Sequence, residues 1–271
     1  MNKVAELIER YTSEKKKVKF FDANSWLGAP VPGSLRKVPE KTAEILEVMN
    51  DYGIEKAVVA DSLTLNYNAA YGNERLLKEI GKNERLYAAA ILLPDGTEES
   101  GNLSDYLSFL TSHKVVMVKL FPKVHNFVLS DYCSGRLLRL LEERKIPVTL
   151  WHTQTEWNEV DRLCETYPHI PIIIEGVARK LFYDTRIFYP LLAKHRNLFL
   201  ESHSLTNYLG LDDIVKKFGA GKVIFGTFIP ENDPEAALMP IVYGNFTLKE
   251  KQMIASGNLL SLIENIEEQN S

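Results

Sequence analysis

Phe20-Phe21-Asp22-Ala23-Asn24-Ser25-Trp26-Leu27-Gly28 is the stretch whose reading decides the fold. An apolar pair runs into alternating residues and stops at a glycine, the pattern of a first strand and its exit loop in an α/β barrel. Asp22, Asn24 and Trp26 are two residues apart, so an uninterrupted strand carries them on one face. Side chains spaced in this way can converge on one metal ion. The residue types are unsuited to binding one, since Asn24 offers a neutral amide oxygen and Trp26 has no lone pair for a metal. The stretch has the spacing of a metal site with its ligands partly gone.

Outward from it, the chain alternates. Apolar runs of strand length fall at 18–22, 56–61, 86–92, 115–121, 147–152, 170–175, 197–201 and 222–226, with helical spacing between them, as at 42–49 and 137–143. Near-continuous apolar runs such as 170–174 suit parallel strands covered on both faces. Eight such units, with no second composition regime, predict a single-domain (β/α)8 barrel over 18–271 with a C-terminal helical extension. Residues 1–17 form an N-terminal helix, over 3–12, and a basic approach, Lys15-Lys16-Lys17, read as a solvated lead into the first strand. An open doubly wound sheet is the alternative, but no Gly-x-Gly-x-x-Gly follows any strand. Helix grammar places Pro39 in the first turn of a helix that ends at Asp51-Tyr52-Gly53. It makes Asp233 the cap ahead of Pro234 and lets Pro147 open a strand. The tail, 248–268, reads as one or two helices closing the barrel, with 264–271 fraying.

Composition sets bounds on function. The 271 residues are 45% hydrophobic and 25% charged, and 32 Lys+Arg against 36 Asp+Glu leave a formal charge of −4. Mild acidity gives no pull toward nucleic acid or an anionic membrane. No run reaches membrane-spanning length, and the charged amphipathic N-terminus lacks the apolar core of a signal peptide. Two cysteines, Cys133 and Cys164, make no disulfide framework. The expectation is a cytoplasmic protein with a small-molecule substrate or ligand, no nucleic acid and no membrane partner. Exposed barrel helices are suited to a homodimer. P-loop, Gly-x-Ser-x-Gly, zinc-ribbon and calcium-loop patterns are absent.

Function in a barrel of this kind sits at the C-terminal strand ends. Those ends carry Asp22, Asn24 and Trp26; Asp61-Ser62; Lys119 with Phe121-Pro122; Trp151-His152; Glu175-Gly176; Glu201-Ser202-His203; and Gly226-Thr227-Phe228-Ile229-Pro230. In this order the motifs resemble the amidohydrolase superfamily, in its branch of amidohydrolase-related hydrolases and decarboxylases, from about Lys19 to Ile263. The family's Asp-x-His-x-His corresponds to Asp22-Ala23-Asn24-Ser25-Trp26. Lys119-Leu120-Phe121-Pro122 is similar to its fourth strand, and Pro147-Val148-Thr149-Leu150-Trp151-His152 to its fifth, which puts His152 at a metal-ligand position. The family's sixth-strand histidine has no counterpart near Glu175-Gly176. Phe225-Gly226-Thr227-Phe228-Ile229-Pro230 resembles Gly-Ser/Thr-Asp-x-Pro with Phe228 for the aspartate, and Gly257-Asn258-Leu259-Leu260-Ser261-Leu262 resembles the family's last-helix segment.

The resemblance implies a hydrolase or decarboxylase of a small organic substrate with a degenerate metal site. His152 is then the base, Lys119 the electrostatic stabiliser and Glu175 or Glu201 the proton shuttle. Asp22, Asn24, Trp26, Asp61, His203 and Phe228 are candidate binding residues. A rebuilt site of His152, Glu175, Glu201 and His203 for zinc, manganese or iron is a further option, since His152 alone cannot hold a catalytic ion. Two other readings stay open: a non-catalytic relative that binds a small ligand or a protein, and a metal-free lyase forming a Schiff base on Lys119. Each residue also has a plainer reading. Lys119 can be buried in an ion pair with Glu175 or Asp61, and Glu175 or Glu201 can pair with Arg179 or Lys119. His203 can lie on an exposed loop, and Asp22 can accept hydrogen bonds from neighbouring strand ends. Trp26, Trp151, Phe121 and Phe228 wall an apolar pocket or fill the space of a lost metal and its waters.

Overall fold

A computed structural model describes residues 3–31, 33, 38–94, 101–176 and 181–267. Eight strands form one parallel sheet in sequential order: β1 (Phe20–Leu27), β2 (Ile54–Asp61), β3 (Leu86–Ile91), β4 (Val115–Leu120), β5 (Val148–Trp151), β6 (Ile172–Glu175), β7 (Leu198–Glu201) and β8 (Val223–Ile224). The ring closes between its first and last strands. Ala23 N donates to Phe225 O at 2.9 Å, Phe228 N to Asn24 O at 2.8 Å and Trp26 N to Ile229 O at 2.9 Å. All eight strands read from the sequence are therefore present, in the barrel rather than the open-sheet arrangement.

The helices are α1 (Lys3–Lys15), α2 (Thr42–Tyr52), α3 (Leu63–Asn66), α4 (Ala69–Ile80), α5 (Leu103–Ser112), α6 (Asp131–Glu143), α7 (Trp157–Thr166), α8 (Leu181–Lys194), α9 (Gly210–Phe218), α10 (Pro234–Tyr243), α11 (Leu248–Gln252) and α12 (Asn258–Glu267). A π turn over Met253–Gly257 joins the last two. No described helix is long and apolar enough to cross a membrane.

Local chemistry accounts for several boundaries. Asp233 caps α10 by accepting from Glu235 N at 2.9 Å, with Pro234 opening the helix. Gly53 ends α2 at φ 69°, a left-handed value that glycine adopts without steric cost. Pro39 lies ahead of α2 rather than in its first turn, and its carbonyl accepts Gly28 N at 2.7 Å. The basic run is less free than its charge suggests. The helix extends to Lys15, whose Nζ pairs with Glu235 at 2.6 Å, and Tyr11 donates to the same carboxylate. Of the segment expected to fray, Glu264 to Glu267 complete α12, and 268–271 fall outside the described residues.

Two apolar layers follow from strand alternation. Phe20, Leu27, Val59, Val118 and Ile174 pack outward under the helices, while Phe21, Ala23, Trp26, Val58, Met117 and Ile173 fill the barrel. Ala23 and Trp26 both lie inside although three residues separate them, which strict alternation forbids. The cause is an irregular register between Asp22 and Ser25 against β2. This bulge takes Asp22 off the face that carries Asn24 and Trp26, contrary to the simple two-residue spacing.

Candidate active site at the strand ends

The bulge aims Asp22 at the seam between β1 and the exit of β8. Its carboxylate accepts Asn24 N and Thr227 N, both at 2.9 Å, Ser25 Oγ at 2.6 Å and Thr227 Oγ1 at 2.5 Å. Burial pushes this carboxyl above the usual aspartate range, and the four hydrogen bonds counter that only in part. Asp22 thus ties the seam from within.

Asn24 is the centre of the barrel mouth. Its Nδ2 donates to Glu175 Oε2 and Glu201 Oε2, both at 3.2 Å. Its Oδ1 accepts from Trp26 Nε1 at 3.0 Å and from Lys119 Nζ at 3.2 Å. Lys119 forms an ion pair with Glu175 and lies 5.5 Å from the centre of the Trp26 ring. Glu201 accepts His203 N at 2.7 Å and His203 Nδ1 through its other oxygen. Lys119, Asn24, Glu175, Glu201 and His203 are all buried. Four strands contribute: Asn24 lies on β1, Lys119 is the penultimate residue of β4, and Glu175 and Glu201 are the last residues of β6 and β7.

Above this network lies a cavity of about 100 Å³ lined by Val31, Trp151, His152, Thr153, Glu175, Gly176, His203 and Phe228. Trp151 stands perpendicular to Phe228, with ring centres 5.3 Å apart, and Phe228 tilts over His203 at 4.8 Å. Trp26 and Phe121 pack edge-on below them. This volume is smaller than the ~150 Å³ engineered hole that accepts benzene, so the space holds a compact group. Gly176 separates two imidazoles: a Cβ there would lie 3.2 Å from His152 Nδ1 and 3.9 Å from His203 Cε1. Its φ of 75° also disfavours a side chain. Gly176→Ala is expected to cost about 1–2 kcal/mol in stability and to abolish ligand-induced thermal shifts, as measured by scanning fluorimetry with and without ligand.

Most of the candidates read from the sequence meet here. Asn24, Trp26, Lys119, Glu175, Glu201 and His203 form the network, and His152, His203, Glu175 and Phe228 face the cavity. Asp61 stands apart: it accepts Leu63 N at 2.9 Å and Arg75 Nη1 at 2.5 Å, which leaves Lys119 to Glu175. Arg179, the other suggested partner, falls outside the described residues. The sequence places Thr227 and Gly176 at strand ends but assigns neither a role; the positive φ of Gly176 has no sequence signal beyond the glycine itself. The thiols offer no nucleophile here, since burial pushes Cys164 up to about 12 and Cys133 sits on α6.

The donor set does not fit a divalent ion. Both acceptor positions of Asn24 are taken, one by an ammonium, and Glu175 holds that same ammonium. Glu201 is bonded through both oxygens. Among the described residues, no three His, Cys, Asp or Glu side chains are grouped to hold a metal.

Fold and site define a (β/α)8 barrel with a polar, carboxylate-rich mouth. No family model and no curated protein matches the chain. Solved structures do. An uncharacterised TIM-barrel protein from Bordetella bronchiseptica superposes with a TM-score of 0.70 at 16% identity, over 92% of this chain and 100% of that one. A putative 2-pyrone-4,6-dicarboxylic acid hydrolase from Pseudomonas putida gives 0.67 at 14%, over 92% and 98%. The 5-carboxyvanillate decarboxylase of Sphingomonas paucimobilis gives 0.70 at 11%, over 91% and 99%. At these identities the likeness shows the fold.

Proposed function

We propose that the chain is a hydrolase or decarboxylase of a small organic molecule, working by imidazole acid–base chemistry with no step through a metal. The observation that carries this reading is the Glu201 carboxylate seated on His203 Nδ1 beside the cavity. A carboxylate can only accept, so Nδ1 carries the proton and Nε2 is left as the basic nitrogen. No described residue hydrogen-bonds Nε2. In hydrolysis, Nε2 takes a proton from water as the water oxygen adds to the substrate carbonyl. The imidazolium, held by Glu201, then returns that proton to the leaving group. In decarboxylation, Nε2 instead takes a proton from solvent and the imidazolium delivers it to the carbon that loses carbon dioxide. His152, across Gly176, is placed to hold the opposite end of the substrate. In this reading His203 acts as the base, with the Glu201 carboxylate on its Nδ1. The structural likeness to hydrolases and decarboxylases supports the reaction class.

The test is a panel of small esters, lactones and carboxylic acids assayed with wild type and His203→Gln. Turnover is expected to fall about 10²–10⁴-fold in the variant and to survive dialysis against a strong chelator unchanged. Activity that is indifferent to His203→Gln, or lost on chelation, would overturn the reading.

One feature favours a non-catalytic binder instead: Trp26, Phe121, Trp151 and Phe228 crowd the mouth. That reading expects thermal shifts from compact ligands without turnover of any of them. A Schiff base on Lys119 has less support, since this side chain is fully buried against Glu175 and does not line the cavity.

A further inference from the structure

Two buried carboxylates, Glu175 and Glu201, share this centre with an ammonium, Lys119, and an imidazole, His203. Electrostatics alone does not say which carboxylate the ammonium takes and which the imidazole. An ammonium has three protons, and the bonds described for Lys119 reach only Glu175 and Asn24 Oδ1. Asn24 stands between the two halves with all four of its hydrogen-bonding positions used. Its orientation cannot be reversed: a flipped amide would set its NH2 against an indole N–H and an ammonium, and its oxygen against two carboxylates.

We propose that Asn24 is a positioning residue that divides the carboxylates, tying Lys119 to Glu175 and reserving Glu201 for His203. Neutral His203 then has one tautomer, protonated on Nδ1 with its lone pair on Nε2. Without Asn24, the Lys119 ammonium is free to bridge both carboxylates, and Glu201 leaves the imidazole. The sequence offered Asn24 as a binding residue or a lost ligand. In the structure it lies behind the cavity lining, bonded within the network. The catalytic value of the arrangement rests on the acid–base reading above, whereas the arrangement itself does not.

The experiment is long-range proton–nitrogen NMR on full-length protein labelled with ¹⁵N-histidine, with the His203 signals assigned from the His203→Gln spectrum. The neutral imidazole of the wild type is expected to show the Nδ1–H tautomer alone. In Asn24→Ala, and in the equally sized Asn24→Asp, which has no donors for the carboxylates, that single species should give way to a mixture of tautomers. A wild-type His203 protonated on Nε2 overturns the proposal, and this measurement needs no Asn24 variant to fold. An unchanged spectrum in a folded Asn24 variant overturns it equally. If the tautomer behaves as expected but no compound is turned over, the acid–base reading fails and the positioning role of Asn24 stands.

Discussion

Lys119→Met is expected to destabilise the protein by about 3–5 kcal/mol, among the largest effects of any single substitution here. Methionine fills similar volume and leaves the packing against Trp26 largely intact. What it removes is the only full positive charge bonded to Glu175 among the described residues, and that carboxylate is itself 1% exposed. Stranding a buried charge costs more than the intact pair contributes, because desolvation has already been incurred on both sides. Lys119→Met together with Glu175→Met should therefore recover most of the loss, since a well-packed apolar pair can equal or exceed a buried ion pair in stability. Urea unfolding of the two variants tests this. A single variant within about 1 kcal/mol of wild type would mean that Glu175 finds another partner.

Asp22→Ala is the second large effect. Two buried backbone N–H groups, of Asn24 and Thr227, would lose their acceptor, at about 1–3 kcal/mol each. The seam between β1 and β8 would open first, so hydrogen exchange should quicken at Ala23, Trp26 and Phe228 before the rest of the barrel. Asp22→Asn separates the hydrogen bonds from the charge. Its Oδ1 keeps both backbone donors, and the hydroxyls of Ser25 and Thr227 can turn to accept from Nδ2. Asp22 has its carboxyl raised in the folded state, so folding favours its protonated form. Its contribution is greatest at low pH and declines as pH rises through the folded-state value. The melting temperature of Asp22→Asn relative to wild type should thus improve between about pH 4 and about pH 7. A difference that stays flat over that range would show that Asp22 titrates as an ordinary carboxylate.

The barrel was legible because its parallel strands are covered on both faces and keep their apolar runs in every register. The runs ending at Glu175 and Glu201 also revealed their polar tips, since a carboxylate closing an apolar strand is conspicuous. Parity failed at Asp22, where the bulge depends on acceptance from Thr227, 205 residues away. Lys119 illustrates a different limit. Its burial followed from the alternation of Val115, Met117 and Lys119, but the choice between Asp61 and Glu175 did not, because Arg75 had already claimed Asp61. Asn24 was seen only as a missing ligand. Nothing local shows that its amide is held by groups 2, 95, 151 and 177 residues distant.

Those separations bear on how the chain reaches its native state. A barrel can add its βα units one after another from either end, and most of its strand pairs are local. The knot of side chains at the mouth cannot be assembled in that way. With only the first six strands in place, Asn24 would have Glu175 and Lys119 but lack Glu201, and the gap between β1 and β8 would lack the donors of Thr227. Closing such long loops is entropically slow, and nothing is gained until the last segments arrive. Fragments ending before Glu201 should therefore persist as loose, aggregation-prone species rather than as partial barrels, and the mouth should become ordered only once the segment through Thr227 is present.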